Sequence, residues 1–328
     1  MTSKGPVFSI VVPTRNRPKL LAVALQSIAD QSFSNYEVII VDDWSDEEHR
    51  CENKTVVERF GAGFKLLNRS ILEPTHGPSV ARNAGIAAAL GQYVGFLDDN
   101  DYWCDKHHLK VADGALSQIP NADYFLSDQV AKRDDLIVVA EWLPYLNRII
   151  NKRSQVLETD CYQVTVSDIL RPEGIGFPHP NTFIVRRDLI ELIGGFWEGT
   201  SYEEDLNFSL RLLDQIDSAI YRPKVTAVNV RRQSFNSEGA SSIKADSKQL
   251  YRVLVCEHAS RYCRSNHVRA YIRLLHSGVL KTIAKECYYE KSYAVAGDYA
   301  LRAVGVGFSV KWVIIGIAFR LRGLFSGN

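Results

Sequence analysis

Two β-branched runs flank a helix-periodic segment near the amino end of the chain, and this arrangement constrains the fold more than any other feature. Phe8–Thr14 (FSIVVPT) is closed by a proline and reads as a buried strand. Pro18 suits a first helical turn, and Leu21, Ala24, Leu25 and Ile28 recur at helical spacing, which predicts a helix with one buried face. Tyr36–Asp43 (YEVIIVDD) is a second buried strand that ends in two acids. The unit spans about 35 residues, the size of a strand–helix–strand crossover, and such a crossover joins parallel strands.

The pattern continues. FKLLNRS reads as a third strand, Gly77–Gly91 as an alanine-rich helix closed by glycine, and QYVGFLDDND as a fourth strand with acids at its carboxyl end. Alternating strands and helices imply an α/β fold, with a mostly parallel sheet and helices on both faces. In such sheets ligands bind beyond the carboxyl ends of the strands. Thr14, Asp43 and Asp98 all fall there, on three separate strands. Residues 131–167 show no clear period and read as irregular. Gly176–Phe196 holds a strand and then a short helix ending at Gly194–Gly195. Tyr202–Gln215 reads as a helix with acids in its first turn, where the helix dipole favours them. IYRPKVTAVNVRRQ is a further strand, and from about Ser247 the chain is mostly helical.

At 46% hydrophobic and 23% charged, the 328 residues are globular in composition, with ample material for a core. The net charge of +1 hides an asymmetry: residues 236–328 carry 14 Lys/Arg against 6 Asp/Glu. A basic tail on an acidic body suggests a polyanionic surface as partner. The six cysteines show no CxxC pair and no metal-ligand spacing, as expected of reduced thiols in the cytoplasm. The amino end lacks a signal-peptide plan. The longest apolar stretch, Ala303–Phe319, has 17 residues with Lys311 in the middle. A spanning helix needs about 20 apolar residues. Together with Arg320 and Arg322, this segment reads either as a docked terminal helix or as an interfacial helix on the inner face of an anionic membrane.

Asp98, Asp99, Asn100 and Asp101 put three carboxylates and an amide within four residues at a strand end. Like charges at that spacing repel unless a cation sits among them. No GxGxxG follows the first strand, and there is no GxxxxGKS loop, GxSxG elbow or HExxH, which counts against dinucleotide, P-loop, hydrolase and zinc-protease chemistry. No nucleic-acid-binding module is recognisable, so nucleic acid is not an expected partner. Acids clustered at strand ends suit Mg²⁺ or Mn²⁺ bridging a diphosphate. A further carboxylate, from Glu203, Glu204 or Asp205, can deprotonate an incoming hydroxyl.

The segments SIVVPTRNRPKLLAVALQSIADQSFSNYEVIIVDDWS, GPSVARNAG, YVGFLDDNDYW and GGFWEGTSYEEDLNFSLRL together resemble the family 2 glycosyltransferases of the GT-A (Rossmann-like) fold, of the bacterial polysaccharide and lipid-linked glycan type. The likeness covers about the first 230 residues, in family order and spacing. It implies a catalytic domain over 1–235; the helical, basic region over 236–328, read from charge and pattern, matches no family motif. The implied reaction is an inverting transfer of a sugar from a nucleotide diphosphate, with UDP favoured, to a hydroxyl of a glycan or lipid-linked acceptor. By the same likeness Asp43 would contact the base, and Pro13 and Thr14 would line the nucleotide pocket. Arg82 would approach the nucleotide or diphosphate. Asp98, Asp99 and Asn100 would form the motif shared between ribose and a divalent cation, and Asp205 would be the base.

Two departures stand out. The common family pattern has an acid where this chain has Asn100, an amide that can coordinate a hard cation but carries no charge; Asp99 is the alternative ligand. Many relatives also have a histidine after the strand that follows the acidic helix, where this chain has Arg231, Arg232 and Gln233. An arginine there could steady the diphosphate partly in place of metal. Other readings stay open. Asp43 could cap the next helix, Arg82 could be a solvated helix residue, and Asp205 could be only a dipole-favoured acid. Trp103 could line the acceptor cleft or pack, and His179 could reach the acceptor or be structural. A catalytically silent nucleotide-sugar-binding protein of the same fold is the principal alternative, and a nucleotidyltransferase a lesser one.

Overall fold

The computed structural model describes residues 5–70, 77–119, 122–134, 136–150, 155–156, 160–171, 176–231 and 245–326. The chain divides into two compact units. One holds residues up to Gly199 together with Gln215–Asn236; the other holds Thr200–Asp214 together with Ser237–Asn328.

In the first unit β1 (Phe8–Thr14), α1 (Pro18–Ala29), β2 (Tyr36–Asp42), α2 (Glu47–Glu58), β3 (Phe64–Asn68), α3 (Pro78–Ala88) and β4 (Tyr93–Phe96) follow the periodicities of the sequence closely. β5 (Tyr102–Trp103), α4 (His108–Gln118), β6 (Tyr124–Arg133), β7 (Leu136–Val139), α5 (Pro144–Ile150), β8 (Gln155–Val156), β9 (Cys161–Thr165) and α6 (Val166–Ile169) come next. β10 (Phe183–Arg186) and α7 (Arg187–Leu192) follow a single 3₁₀ turn at Pro180–Thr182. α8 (Glu204–Leu213) belongs to the other unit, and β11 (Ser218–Arg231) returns to the first.

All the strands join one sheet in the order β3-β2-β1-β4-β10-β6-β11-β9-β8, with β5 paired to β11 and β7 to β6. β1 runs parallel to β2 and β4, and β2 parallel to β3. β10 then inserts antiparallel between β4 and β6, and β11 runs parallel to β6. β1, β2 and β4 are buried nearly throughout, as parallel strands covered on both faces must be. α1 sends Leu21, Ala24, Leu25 and Ile28 into the core beside Phe8, Ile10 and Val12. α3 lies close against β1: a Cβ built on Gly85 would stand 2.4 Å from a Val11 methyl, so only glycine lets the helix approach this far.

The stretch 131–167 is not irregular. It carries the end of β6, then β7, α5, β8, β9 and α6. Two properties hide these elements. β6 buries Ser127, Asp128 and Gln129, so its polar residues do not mark a solvent face. β7 exposes Leu136, Ile137 and Val138, so its apolar residues do not mark a core face.

The second unit is helical: α8, α9 (Ala245–Tyr262), α10 (Asn266–Tyr289), α11 (Tyr293–Val306) and α12 (Val310–Ser326). Val253, Val279, Leu280, Ile283 and Ala303 form its apolar centre. Asn207 of α8 is held to α9 through His258, with its side-chain nitrogen 3.0 Å from the imidazole Nδ1, and its oxygen accepts from Arg211 Nε at 2.9 Å. Among the described residues no helix is long and apolar enough to cross a membrane.

Candidate active site

The carboxyl ends of β1, β2 and β4 converge. The backbone N–H of Asp43 donates to the Thr14 carbonyl at 2.9 Å, which joins the ends of the first two strands. The Thr14 hydroxyl donates to Asp99 Oδ2 at 2.9 Å, which joins the end of β1 to the loop after β4. Leaving β1, the chain turns through Asn16, a non-glycine residue at φ +54°. Its N–H donates to the Ser45 hydroxyl at 2.8 Å, and its Oδ1 accepts from the Asp46 N–H at 2.9 Å. Loops after β1 and β2 are therefore fastened to each other before any ligand arrives.

Of the two acids ending the second run, Asp42 is structural. One oxygen accepts from the Ser45 N–H at 2.8 Å and the other from Asn53 Nδ2 at 2.8 Å. Asp43 does not cap the next helix; Asp46 does, accepting from the His49 N–H. The Asp43 carboxylate meets Arg69 at 2.8 Å, both side chains buried, and accepts from the Gly77 N–H at 2.7 Å. Gly77 adopts φ +124°, a backbone region that favours glycine, at the entrance to α3. Pro13 is half-buried in the same strand end.

Arg82 is not a solvated helix residue. It is 4% exposed, its guanidinium lies 5.2 Å from the Phe196 ring centroid, and one nitrogen pairs with Asp98 Oδ1 at 2.7 Å. The neighbouring Asn83 explains why ARNAG and GGF act together. Its amide donates to the Phe196 carbonyl at 2.9 Å and accepts from the Phe196 N–H at 2.7 Å. Gly195, at φ +70°, packs so tightly there that a Cβ would lie 2.5 Å from the Asn83 oxygen.

The acid quartet splits into two roles. Asp98 and Asp99 face arginines: Asp98 meets Arg82, and Asp99 meets Arg17 at 3.2 Å. Burial pushes the Asp98 carboxyl up, but Arg82, His179 and Arg17 outweigh it and hold the group below the ordinary carboxylate range. At Asp99 burial wins over Arg17 and Thr14, and the carboxyl is raised. Asp101 turns inward instead. Its oxygens accept from Asn181 Nδ2 at 2.5 Å, Asn229 Nδ2 at 2.9 Å, the Val230 N–H at 2.7 Å and Asn100 Nδ2 at 2.9 Å. Burial, and then the charge of Asp98, push this carboxyl up to about 7 against the pull of those donors. Asp101 thus fastens the acid loop to the end of β11, and Asn181 completes the brace by accepting from the Asp98 N–H at 3.0 Å.

Trp103 packs. It is buried, and its indole N–H donates to the Asn181 carbonyl at 2.9 Å. His179 precedes this brace, with Nδ1 3.3 Å from the Asn181 N–H and its ring edge-on to Trp142. Arg231 closes β11 with its guanidinium 5.6 Å from the Trp142 ring; Arg232 and Gln233 lie outside the described residues. Asp205 sits in the first turn of α8, in the second unit, where its Oδ1 accepts from the Leu206 N–H at 2.8 Å. Of its neighbours, Glu204 is buried, and Glu203, at φ +55°, gives its carboxylate to Arg252 Nε at 2.6 Å.

Sequence reasoning did not assign Arg17, Asn181 or Asn229 to this region. Arg17 stands in TRNRP beside the strand end, a signal that position alone could have raised. Nothing in the local sequence distinguishes Asn181 or Asn229.

A divalent cation has to be tested against these side chains. Among the described residues no group of three or more His, Cys, Asp or Glu could hold a metal ion by itself. Mg²⁺ and related ions are commonly bound through one or two carboxylates plus substrate phosphates. Asp98 and Asp99 supply that number, so the donor set fits a cation arriving with a diphosphate and does not form a closed protein cage. Asn100 directs its NH₂ to Asp101 and to the Val230 carbonyl, and its carbonyl oxygen takes no part in those bonds.

The partly parallel α/β sheet with its flanking helices has the GT-A fold. Over 98% of its own length and 92% of the other chain's, the protein superposes on the crystal structure of Staphylococcus aureus TarS residues 1–349 in complex with UDP-GlcNAc, with a TM-score of 0.65 and 20% identity. It also superposes, at a TM-score of 0.56 and 17% identity, on mannosyltransferase PcManGT from Pyrobaculum calidifontis in complex with GDP-Man and Mn²⁺, covering 99% and 89% of the two chains. Residues 9–159 match the sequence model of Glycosyl transferase family 2. An uncharacterized glycosyltransferase of Haemophilus influenzae is 25% identical over 82% of this chain and 85% of its own length. The GalNAc(5)-diNAcBac-PP-undecaprenol beta-1,3-glucosyltransferase of Campylobacter jejuni is 32% identical over 35% of this chain, which there spans about a third of the relative's length (33%). The protein is a glycosyltransferase.

Proposed function

We propose that the strand-end cluster is the donor site of an inverting transferase that uses a nucleoside diphosphate sugar, UDP-linked in first preference. One observation carries the reading. Asp43, Asp98 and Asp99 come from separate strand ends, and each is in direct contact with an arginine, Arg69, Arg82 and Arg17 respectively. Such a set offers carboxylates to a base, ribose or cation and guanidinium groups to a diphosphate. Pro13, Thr14 and Asp43 line the nucleotide end; Arg82 and Arg17 neutralise the diphosphate; Asp98 and Asp99, with Asn100, would hold Mn²⁺ or Mg²⁺. Bound there, the cation would offset charge on the leaving diphosphate.

The acceptor is a hydroxyl of a glycan or lipid-linked glycan. Its oxygen bonds to the anomeric carbon as the bond to the diphosphate oxygen breaks. The hydroxyl proton passes to the Asp205 carboxylate and the nucleoside diphosphate leaves with the bonding pair. One in-line displacement inverts the anomeric centre, so no protein nucleophile is needed. The family likeness favours Asp205 as the base, and Glu203 is tied to Arg252.

The test is calorimetric binding of UDP, TDP and GDP to the full chain, each with and without Mn²⁺. UDP is expected to bind most tightly with Mn²⁺, and Asp98→Ala to weaken that binding at least tenfold. Binding of no diphosphate, or full binding by Asp98→Ala, would overturn the assignment.

A further inference from the structure

α12 carries a second apolar face that its own unit does not cover. At roughly 100° per residue, Val310, Ile314, Ile317, Leu321, Leu324 and Phe325 fall within an arc of roughly 100°. All six are exposed, Ile314 at 63% and Phe325 at 89%. The opposite side is the packed one, where Gly316 sits so close to α11 that a Cβ would lie 2.9 Å from a Leu301 methyl. Cations border the exposed arc on both sides: Lys311 and Arg322 on one, Arg320 on the other; Arg322 also donates to the Tyr288 hydroxyl at 2.6 Å and keeps its charge. The helix contains no Asp or Glu. The acid that meets it is Asp298 of α11, paired with Arg320.

We propose that this face of α12 docks in the interfacial layer of an anionic lipid bilayer. The 4-3-4-3 spacing of the exposed residues would also suit pairing with a second copy of the chain. Charge decides between them. Arg320 is already neutralised by Asp298, but a second copy would bring Lys311 and Arg322 against an identical helix that has no acid to receive them. An anionic headgroup layer receives both, while the apolar arc sinks about 5–10 Å into the acyl boundary. The helix lies in the plane of the surface, since it is too short and too interrupted by charge to cross. This surface does not rest on the donor-site reading, and it would hold a transferase where lipid-linked acceptors reside.

The test is co-sedimentation of the full chain with phosphatidylcholine vesicles, with and without about 30% phosphatidylglycerol. Binding is expected to the anionic vesicles and to fall as salt rises to about 0.5 M. Lys311→Ala should bind about fivefold more weakly. The double variant Ile314→Glu/Leu321→Glu should lose at least tenfold and still bind UDP as the parent does. Sedimentation velocity on the same proteins separates the rival occupant: a dimer that this double variant dissolves, without vesicle binding by the parent, would assign the face to a second copy. Equal vesicle binding by parent and double variant would overturn the proposal.

Discussion

His108→Phe should remove a specific part of the acid sensitivity of folding. The His108 ring is wholly buried, with its centroid 4.8 Å from that of Trp103 and 5.8 Å from that of Phe125. Burial, and then the positive charge of Arg222, push its pKa down to about 3 from an ordinary 6.5. A base whose folded pKa is depressed contributes nothing above its unfolded value. Below that value the unfolded chain takes up a proton that the folded chain refuses, so stability falls as pH drops from 6.5 towards 3. Between pH 7.5 and pH 5 this one site should cost about 2 kcal/mol. Phenylalanine fits the same aromatic slot and cannot take the proton. Urea unfolding followed by tryptophan fluorescence at both pH values, on parent and variant, isolates the effect as a difference of differences. The variant should lose about 2 kcal/mol less than the parent on acidification. An identical loss in the two proteins would show that the ring is not held neutral, and the reasoning would fail. The site matters beyond stability because Trp103, which His108 supports, donates to Asn181, the residue that braces the acid loop.

Two further outcomes are expected. Gly85→Ala should destabilise the domain by about 1–3 kcal/mol, read as a lower urea midpoint, because its methyl would overlap Val11 and push α3 off β1; an unchanged midpoint would mean that helix and strand separate freely. Asp205→Asn should leave UDP binding within about twofold and reduce UDP release from the UDP-sugar during turnover by at least a hundredfold, the scale of a lost general base; turnover at the parent rate would transfer the base role to another group.

How far these features could be read from the chain depended on the range of the interactions behind them. The βαβ plan was legible because strand and helix periods are local, and a buried parallel strand must be apolar on both faces. Placing the acids at strand ends was legible for the same reason. β6 and β7 were not, because polar residues are buried in one and apolar residues exposed in the other.

What the sequence determined by itself is therefore the alternation of strands and helices and the location of Asp43 and the Asp98–Asp101 quartet where parallel strands end. Tertiary structure alone decided what each acid does. Asp98 and Asp99 face Arg82 and Arg17, whereas Asp101, two or three residues on, turns to Asn181, Asn229 and the Val230 N–H, up to 129 residues away in the chain. It also decided that Arg82 is buried and that one apolar face of α12 is left uncovered. The physical reason is the same throughout. Periodicity follows from backbone geometry between near neighbours, but the partner that satisfies a buried charge, or covers an apolar face, comes from wherever the fold brings the chain back.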